Sequence, residues 1–168
     1  VESIPSMGST FRFEADLLPV ASDATKSTAQ LETEDRDSDP ALLSSRNNGV
    51  RVLVAEDHDL NRSIIVETLQ EFGFQTFEAE NGQVAVQEWR QRKVDVVLMD
   101  CQMPVLSGLE AIKMIRDEEQ PNEHVPIIAL TAHAMQDHRQ RLLDRGADRY
   151  VSKPFDREQL VELIAELA

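Results

Sequence analysis

From Val50 to Ala168, short apolar runs alternate with amphipathic helical patterns, and no other feature limits the available folds as much. VRVLVAED opens the series, followed by LNRSIIVETLQEF with Leu60, Ile64, Ile65, Leu69 and Phe72 at helical spacing. FQTFEA, DVVLMD, VPIIALTA and DRYVSK read as further strands, and NGQVAVQEWRQR, LSGLEAIKMIRDEE, MQDHRQRLLDRG and DREQLVELIAELA as the helices after them. Strands joined through helices run parallel, with right-handed crossovers and helices on both faces of the sheet. Apolar runs without a two-residue alternation suit strands covered on both sides. The expected fold is a doubly wound five-stranded α/β sandwich. Gly73 after Phe72, Asn81-Gly82 ahead of a helical pattern and Gly146 after Arg145 supply the matching stop and start signals.

Open sheets of this kind bind ligands beyond the carboxyl ends of the strands, where strand order reverses. Glu56 and Asp57 follow the first strand, Asp100 the third, Thr131 the fourth and Lys153 the fifth, while the second runs into the loop Glu78 to Gly82. Asp100 is the sharpest of these, because a charge at the end of a buried apolar run must be paired, metal-bound or used in chemistry. Three carboxylates at one edge raise one another's pKa unless a cation neutralises them. Hard oxygen donors with open coordination positions favour Mg2+. A hydroxyl at Thr131 and an ammonium at Lys153 suit the oxygens of a phosphoryl group, which leaves Asp100 as the nucleophile for an aspartyl phosphate.

Taken singly, each residue has an ordinary reading: Glu56-Asp57 as a solvated or capping pair, Asp100 as a cap, Thr131 and Lys153 as surface residues. Their joint placement at strand ends carries the site. His58 reads as an exposed loop histidine, and His124, His133 and His138 lack the spacing of a zinc site. Cys101 reads as a small apolar residue behind the site, and Trp89 as a helix-face packing residue.

A chain of 168 residues allows one full domain plus a tail. Its formal net charge of -14 opposes the phosphate backbone of nucleic acids, so no direct nucleic-acid contact is expected. One cysteine excludes an internal disulfide framework and suits a reducing compartment. VESIPSMGSTFRF has no leader pattern, and no apolar stretch is long enough to span a membrane, so the chain is expected to be soluble and cytoplasmic. From Glu14 to Asn48 the sequence is rich in Ser, Thr, Ala, Asp and Glu, which reads as a linker with too little apolar surface to order itself. Without an initiator Met, the chain is expected to be a fragment.

ED at Glu56 and Asp57, MDCQMP around Asp100, ALTA with Thr131 and YVSKPF with Lys153 and Pro154 closely resemble, in that order, a response-regulator receiver domain over residues 50–168. The resemblance implies strand order 2-1-3-4-5 and transfer of a phosphoryl group from phosphohistidine to Asp100. It further implies Mg2+ held by Asp57, Asp100 and the backbone carbonyl of Gln102, with Glu56 acting largely through a metal-bound water. Thr131 and Tyr150 would form the switch, and the Lys153-Pro154 bond would be cis. Glu56 stands where many members carry Asp.

PSMGSTFRFEADLLP, Pro5 to Pro19, is similar to the last glycine-rich strand segment of a histidine-kinase ATP-binding domain, with Ser6 where Gly is common. The expected organisation is a kinase remnant over 1–19, an acidic linker over 20–49 and a receiver over 50–168, at the C-terminus of a hybrid sensor histidine kinase whose parent is a candidate inner-membrane sensor. The chain lacks a phosphoacceptor-histidine helix, most of a nucleotide pocket and a P-loop, so it is expected to accept phosphate rather than act as a kinase. Nothing follows Ala168, so no attached DNA-binding output is expected. The implied partners are the kinase dimerisation domain and a histidine phosphotransfer protein, the latter meeting the helix Leu60 to Phe72. Two other readings compete: a non-phosphorylated pseudo-receiver that docks on the kinase, and an aspartyl-phosphate phosphatase. The phosphatase wants a second Asp where Gln102 stands.

Overall fold

The computed structural model describes residues 2–4, 8–10, 47–120, 123–132 and 141–168, in two compact units, Val1–Thr33 and Glu34–Ala168. In the first unit, β1 (Glu2–Ile4) and β2 (Gly8–Thr10) pair antiparallel, with Ser3 opposite Ser9. Apart from residues 2–4, 8–10 and 47–49, the expected kinase remnant over 1–19 and the linker over 20–49 lie outside the described residues.

The second unit runs β3 (Arg51–Ala55), α1 (Asp59–Glu71), β4 (Gln75–Ala79), α2 (Gly82–Gln91), β5 (Val96–Asp100), α3 (Gly108–Glu118) and β6 (Ile127–Thr131). Residues 141–144 are the described part of α4, followed by β7 (Arg149–Ser152) and α5 (Arg157–Leu167). All five strands are parallel in the order β4-β3-β5-β6-β7, which counted within this sheet is 2-1-3-4-5. The chain reverses direction of travel across the sheet at β3, so a crevice opens beyond the carboxyl ends of β3 and β5.

Successive side chains of a strand point to opposite faces, and both faces here are apolar. Leu53, Val97, Met99 and Ile127 pack with Val86 of α2 and Ala111, Ile112 and Ile115 of α3. Val52, Val54, Leu98 and Ile128 pack on the other face with Ile65 and Leu69 of α1 and Leu160 and Ile164 of α5. Each such side chain contributes ~1.5–3 kcal/mol when fully buried. β5 is buried at every position, Asp100 included, as is its neighbour β6, so the site aspartate stands on a strand packed on both faces.

Local signals set the ends. The Asn81 side chain accepts from Val84 N–H at 2.9 Å, Ser107 and Glu110 form a reciprocal capping box, and Asp156 accepts from Glu158 and Gln159. Caps of this kind stabilise by ~1 kcal/mol each. Gly73 and Gly146, with φ of 87° and 102°, close α1 and α4 in the left-handed region.

Helix α1 departs from its sequence pattern: Ile65, Val66, Thr68 and Leu69 are buried, whereas Leu60 and Ile64 are 63% and 49% exposed. The helix turns about 100° per residue, so Leu60 and Ile64 share a flank beside the face that meets the sheet. Packing also reaches back to Asn47, which is 2% exposed: its Nδ2 donates to the carbonyl of Phe72 at 3.2 Å. No described helix is long and apolar enough to cross a membrane.

Candidate functional site

β3 ends at Ala55 and delivers Glu56 and Asp57 to the crevice, and the Glu56 N–H donates to the Ala79 carbonyl at 3.0 Å. Glu56 is 1% exposed, Asp57 is exposed, and Asp100 is buried at the end of β5. Carboxylate oxygens of all three lie within 4.8 Å of one another. Lys153, just past β7, donates from Nζ to Asp100 Oδ2 at 2.6 Å and to Glu56 Oε2. The Gln102 N–H donates to Asp100 Oδ1 at 2.9 Å. Thr131 is buried at the end of β6, and its carbonyl accepts from the Lys153 N–H at 2.7 Å, joining the last two strand ends. The Lys153-Pro154 bond is cis. Tyr150 is half-buried in β7, paired with Ala129 of β6, and packs against the core on the α2 and α3 side.

The electrostatics follow from this crowding. Burial pushes the Asp100 carboxyl above its ordinary range; the Gln102 N–H and Lys153 pull it down without offsetting the rise, and the Glu56 charge adds to it. Burial works against the Lys153 ammonium, but the hydrogen bonds and charges of Asp100 and Glu56 outweigh it and hold its pKa above the ordinary value. Among the described residues one ammonium therefore answers three carboxylates, two of them buried. The residual negative charge, the oxygen-only donors and the exposed side at Asp57 fit a hard divalent cation such as Mg2+.

Close backbone approach fixes the loop after β5. A Cβ on Gly108 would overlap the Asp100 carbonyl oxygen, and one on Gly82 would stand 2.5 Å from the Leu106 carbonyl oxygen. Between them Val105 has φ of 69°, with the Leu106 N–H donating to the Pro104 carbonyl at 2.8 Å in a three-residue γ-turn. For a β-branched residue that conformation is an outlier, of the kind that clusters near functional sites.

Two residues that sequence reasoning missed hold Glu56. Asn61 Nδ2 donates to Glu56 Oε1 at 3.0 Å, and Arg62 donates to the Glu56 carbonyl at 2.8 Å while pairing with Asp59 at 2.6 Å and Glu78 at 3.2 Å. Both sit in the first turns of α1, where polar residues are ordinary, so nothing in the pattern marked them.

Other candidates lie elsewhere. His58 is exposed at the start of α1 and makes no side-chain cap bond. His124 sits 2.7 Å from Asp148 and 3.3 Å from Glu119 at the opposite end of the sheet. Arg116 completes that network with Asp148 at 2.7 Å and the Gly146 carbonyl at 2.8 Å. His133 and His138 lie outside the described residues. Cys101 is 8% exposed, and burial pushes its thiol up to about 12. Trp89 packs half-buried against the core on the α2 and α3 side.

A family model described as the response regulator receiver domain matches residues 52–165. The chain belongs to the response regulator receiver family. This receiver is 42% identical over 120 residues to hybrid signal transduction histidine kinase I of Dictyostelium discoideum, a match that covers 68% of the chain and 7% of that kinase. It is 34% identical over 113 residues to the polar-differentiation response regulator DivK of Brucella anthropi, covering 67% of the chain and 91% of DivK.

Among solved structures it is similar to the receiver domain of sensor histidine kinase PA1611 from Pseudomonas aeruginosa PAO1, which has a magnesium ion coordinated in its active-site cleft. There the TM-score is 0.65, with 37% identity over 71% of this chain and 97% of that one. It is also similar to the receiver domain of Saccharomyces cerevisiae Ssk1, crystallised with the histidine phosphotransfer protein Ypd1: TM-score 0.66, 34% identity, 70% of this chain and 88% of that one. The chain is thus a receiver domain of a two-component system with the expected fold, and it spans only a small part of the Dictyostelium kinase.

Proposed function

We propose that this receiver takes a phosphoryl group from a phosphohistidine onto Asp100, with Mg2+ in the acidic cluster, and relays it to a histidine phosphotransfer protein. The observation that carries the reading is the convergence of Lys153 and the Gln102 N–H on the two oxygens of a buried Asp100, beside Glu56 and Asp57. These contacts hold the carboxylate in one orientation at the end of a fully buried strand, which is what an in-line attack on phosphorus requires. An Asp100 oxygen forms the new P–O bond as the P–N bond to the donor histidine breaks, and the imidazole nitrogen keeps the electron pair.

Asp57, Asp100 and the Gln102 carbonyl would hold the cation, with Glu56 in the outer sphere. When bound, Mg2+ supplies positive charge against the phosphoryl oxygens. Lys153 and the Thr131 hydroxyl take the remaining oxygens, and Thr131 with Tyr150 reports the modification to the surface. The magnesium-bound receiver of PA1611 supports the cation. The receiver would not itself be a kinase, and it would release its phosphate slowly at most.

The partner surface would be the flank of α1, where Leu60 and Ile64 stand exposed; the complex of the Ssk1 receiver with Ypd1 supports a phosphotransfer protein as the partner. The similarity to a hybrid kinase favours a hybrid-kinase parent; in our reading that parent carries a kinase remnant over 1–19, a linker over 20–49 and a cytoplasmic receiver over 50–168 that would dock on its own dimerisation domain for the first transfer.

Incubation with Mg2+ and acetyl phosphate, read by intact mass, should add one phosphate to the wild type and none to Asp100→Asn. Phosphate on the variant would refute the acceptor. Absence of both Mg2+ and beryllofluoride binding would move support to a docking module that is never phosphorylated.

A further inference from the structure

Glu56, like Asp100, has both carboxylate oxygens engaged, but here both donors are side chains, and they come from two different elements. Lys153, beyond β7, takes Oε2, and Asn61, in the first turn of α1, takes Oε1 at 3.0 Å. The next residue, Arg62, holds the Glu56 carbonyl at 2.8 Å, so consecutive residues of one helix fix the backbone and the side chain of the same acid. A glutamate has one more rotatable bond than an aspartate, and a buried carboxylate oxygen without a donor bears a desolvation cost. Removing the Asn61 amide would leave Oε1 without its donor in a residue that is 1% exposed, free to turn toward whatever charge lies nearest.

We propose that Asn61 is a positioning residue for the acidic site: its amide locks the Glu56 rotamer, so that Glu56 braces Lys153 and leaves direct cation contact to Asp57 and Asp100. The proposal rests on the receiver reading of that site. Asn61 itself is exposed, on a helix where Ala is the better helix former, so Asn61→Ala removes the donor without removing core packing. Outer-shell partners of a metal site typically carry 10–100-fold in affinity, and Asn61 acts at one further remove, so a loss of about tenfold in Mg2+ affinity is expected.

The test is calorimetric Mg2+ titration of the whole 168-residue chain as wild type, Asn61→Ala, Glu56→Asp and the double variant, with melts in Mg2+-free buffer to check folding. An aspartate carboxylate is one methylene shorter and is expected to fall short of the Asn61 amide, which stands 3.0 Å from Glu56 Oε1. Asn61→Ala should therefore cost about tenfold with Glu56 present and less than about twofold in the Glu56→Asp background. Asn61→Leu, of similar shape but with no donor, should match Asn61→Ala and carries the comparison if the alanine variant misfolds. With acetyl phosphate as donor, the Mg2+ concentration for half-maximal rate should rise in Asn61→Ala more than the saturating rate falls. An equal loss in both backgrounds, no loss at all, or wild-type affinity in Asn61→Leu overturns the proposal. A wild type that binds no Mg2+ overturns the receiver reading instead, so the two failures are distinct.

Discussion

Gly108 opens α3 directly above the end of β5, and replacing it by alanine tests how firmly the site is tied to the fold. The new Cβ would overlap the Asp100 carbonyl oxygen, stand 2.8 Å from the Asp100 carbonyl carbon and 3.0 Å from Met99 Cγ. Carbon atoms pack at about 3.5–4.0 Å, so the helix start and the strand end must separate by roughly 1 Å. Two of those atoms are backbone in a fully buried strand, and no side-chain rotation relieves them. Overpacking costs about 1–3 kcal/mol, and a backbone clash belongs at the upper end. Alanine's better helix propensity returns at most about 1 kcal/mol, which leaves a net loss of about 2 kcal/mol. For a body of this size that lowers Tm by roughly 6–10 °C.

The same shift moves the carboxylate proposed to accept phosphate, and a misplacement of about 1 Å costs on the order of 100-fold in rate. Differential scanning calorimetry and the rate of phosphorylation by acetyl phosphate measure the two effects. Gly49→Ala is the control: Gly49 has φ of 97° but nothing within 4 Å of its would-be Cβ. That variant should lose about 1 kcal/mol or slightly more through backbone strain, and keep its phosphorylation rate. If Gly108→Ala melted within about 2 °C of wild type and kept its rate within about twofold, the tight seat of α3 on β5 would be wrong.

Lys153→Met should cost about 3 kcal/mol in Mg2+-free urea melts, because it leaves Glu56 and Asp100 buried without their cation; saturating Mg2+ should restore part of that loss. Burial raises the folded pKa of Asp100 above its unfolded value of about 3.9, so the protonated form's contribution is fully present below that pH and lost as pH rises through the folded pKa. Asp100→Asn should therefore be the more stable protein in Mg2+-free buffer at pH 7, an advantage that shrinks toward pH 4 in parallel melts. Asp95 has the opposite sign: the Arg51 hydrogen bonds lower its pKa, giving stability that is present above about pH 3.9 and lost as pH falls through the folded value. Asp95→Asn should accordingly melt below wild type at pH 7 and converge with it in acid. Cys101, with its thiol pushed up to about 12, should resist a thiol-disulfide reagent at pH 8 until urea opens the domain.

The fold was legible because strand burial and helix periodicity are local patterns: VVLMD announces a strand covered on both faces, and the structure buries all five residues. α1 was read less well, since Leu60 and Ile64 fit a helical stripe as well as Val66 and Thr68 do, and only the angle of the helix on the sheet decides which pair is covered. The acids, Thr131 and Lys153 were legible as strand-end residues, because a parallel sheet brings the ends of its strands to one edge. Their supports were not. Asn61 and Arg62 look like any polar residues near a helix start, and their use depends on where α1 passes over Glu56. The Arg116, Asp148 and His124 network joins residues more than twenty positions apart, a pairing that sequence spacing does not encode. Gly108 gave no signal beyond its place at the head of a helix, since the need for glycine arises from the Asp100 carbonyl across the gap.

The position of Lys153 links these supports to the chemistry. Before transfer, its ammonium is divided between Glu56 and Asp100, and Asp100 gives up one oxygen to that contact. A phosphoryl group on Asp100 would offer new oxygens in place of the one engaged, so the lysine can exchange acceptors there without leaving the site. Its Glu56 contact need not change, because Glu56 is braced by Asn61 on one side and by Arg62 along the backbone. A lysine on a flexible four-carbon stem loses rotamer freedom when it is held to a new partner. Holding it beforehand through Glu56 would move that loss out of the proposed transfer step and into folding. In this arrangement Glu56 does more than carry charge for a cation. It fixes the lysine, and the longer reach of glutamate over aspartate at position 56 is what lets one carboxylate span from α1 to the end of β7.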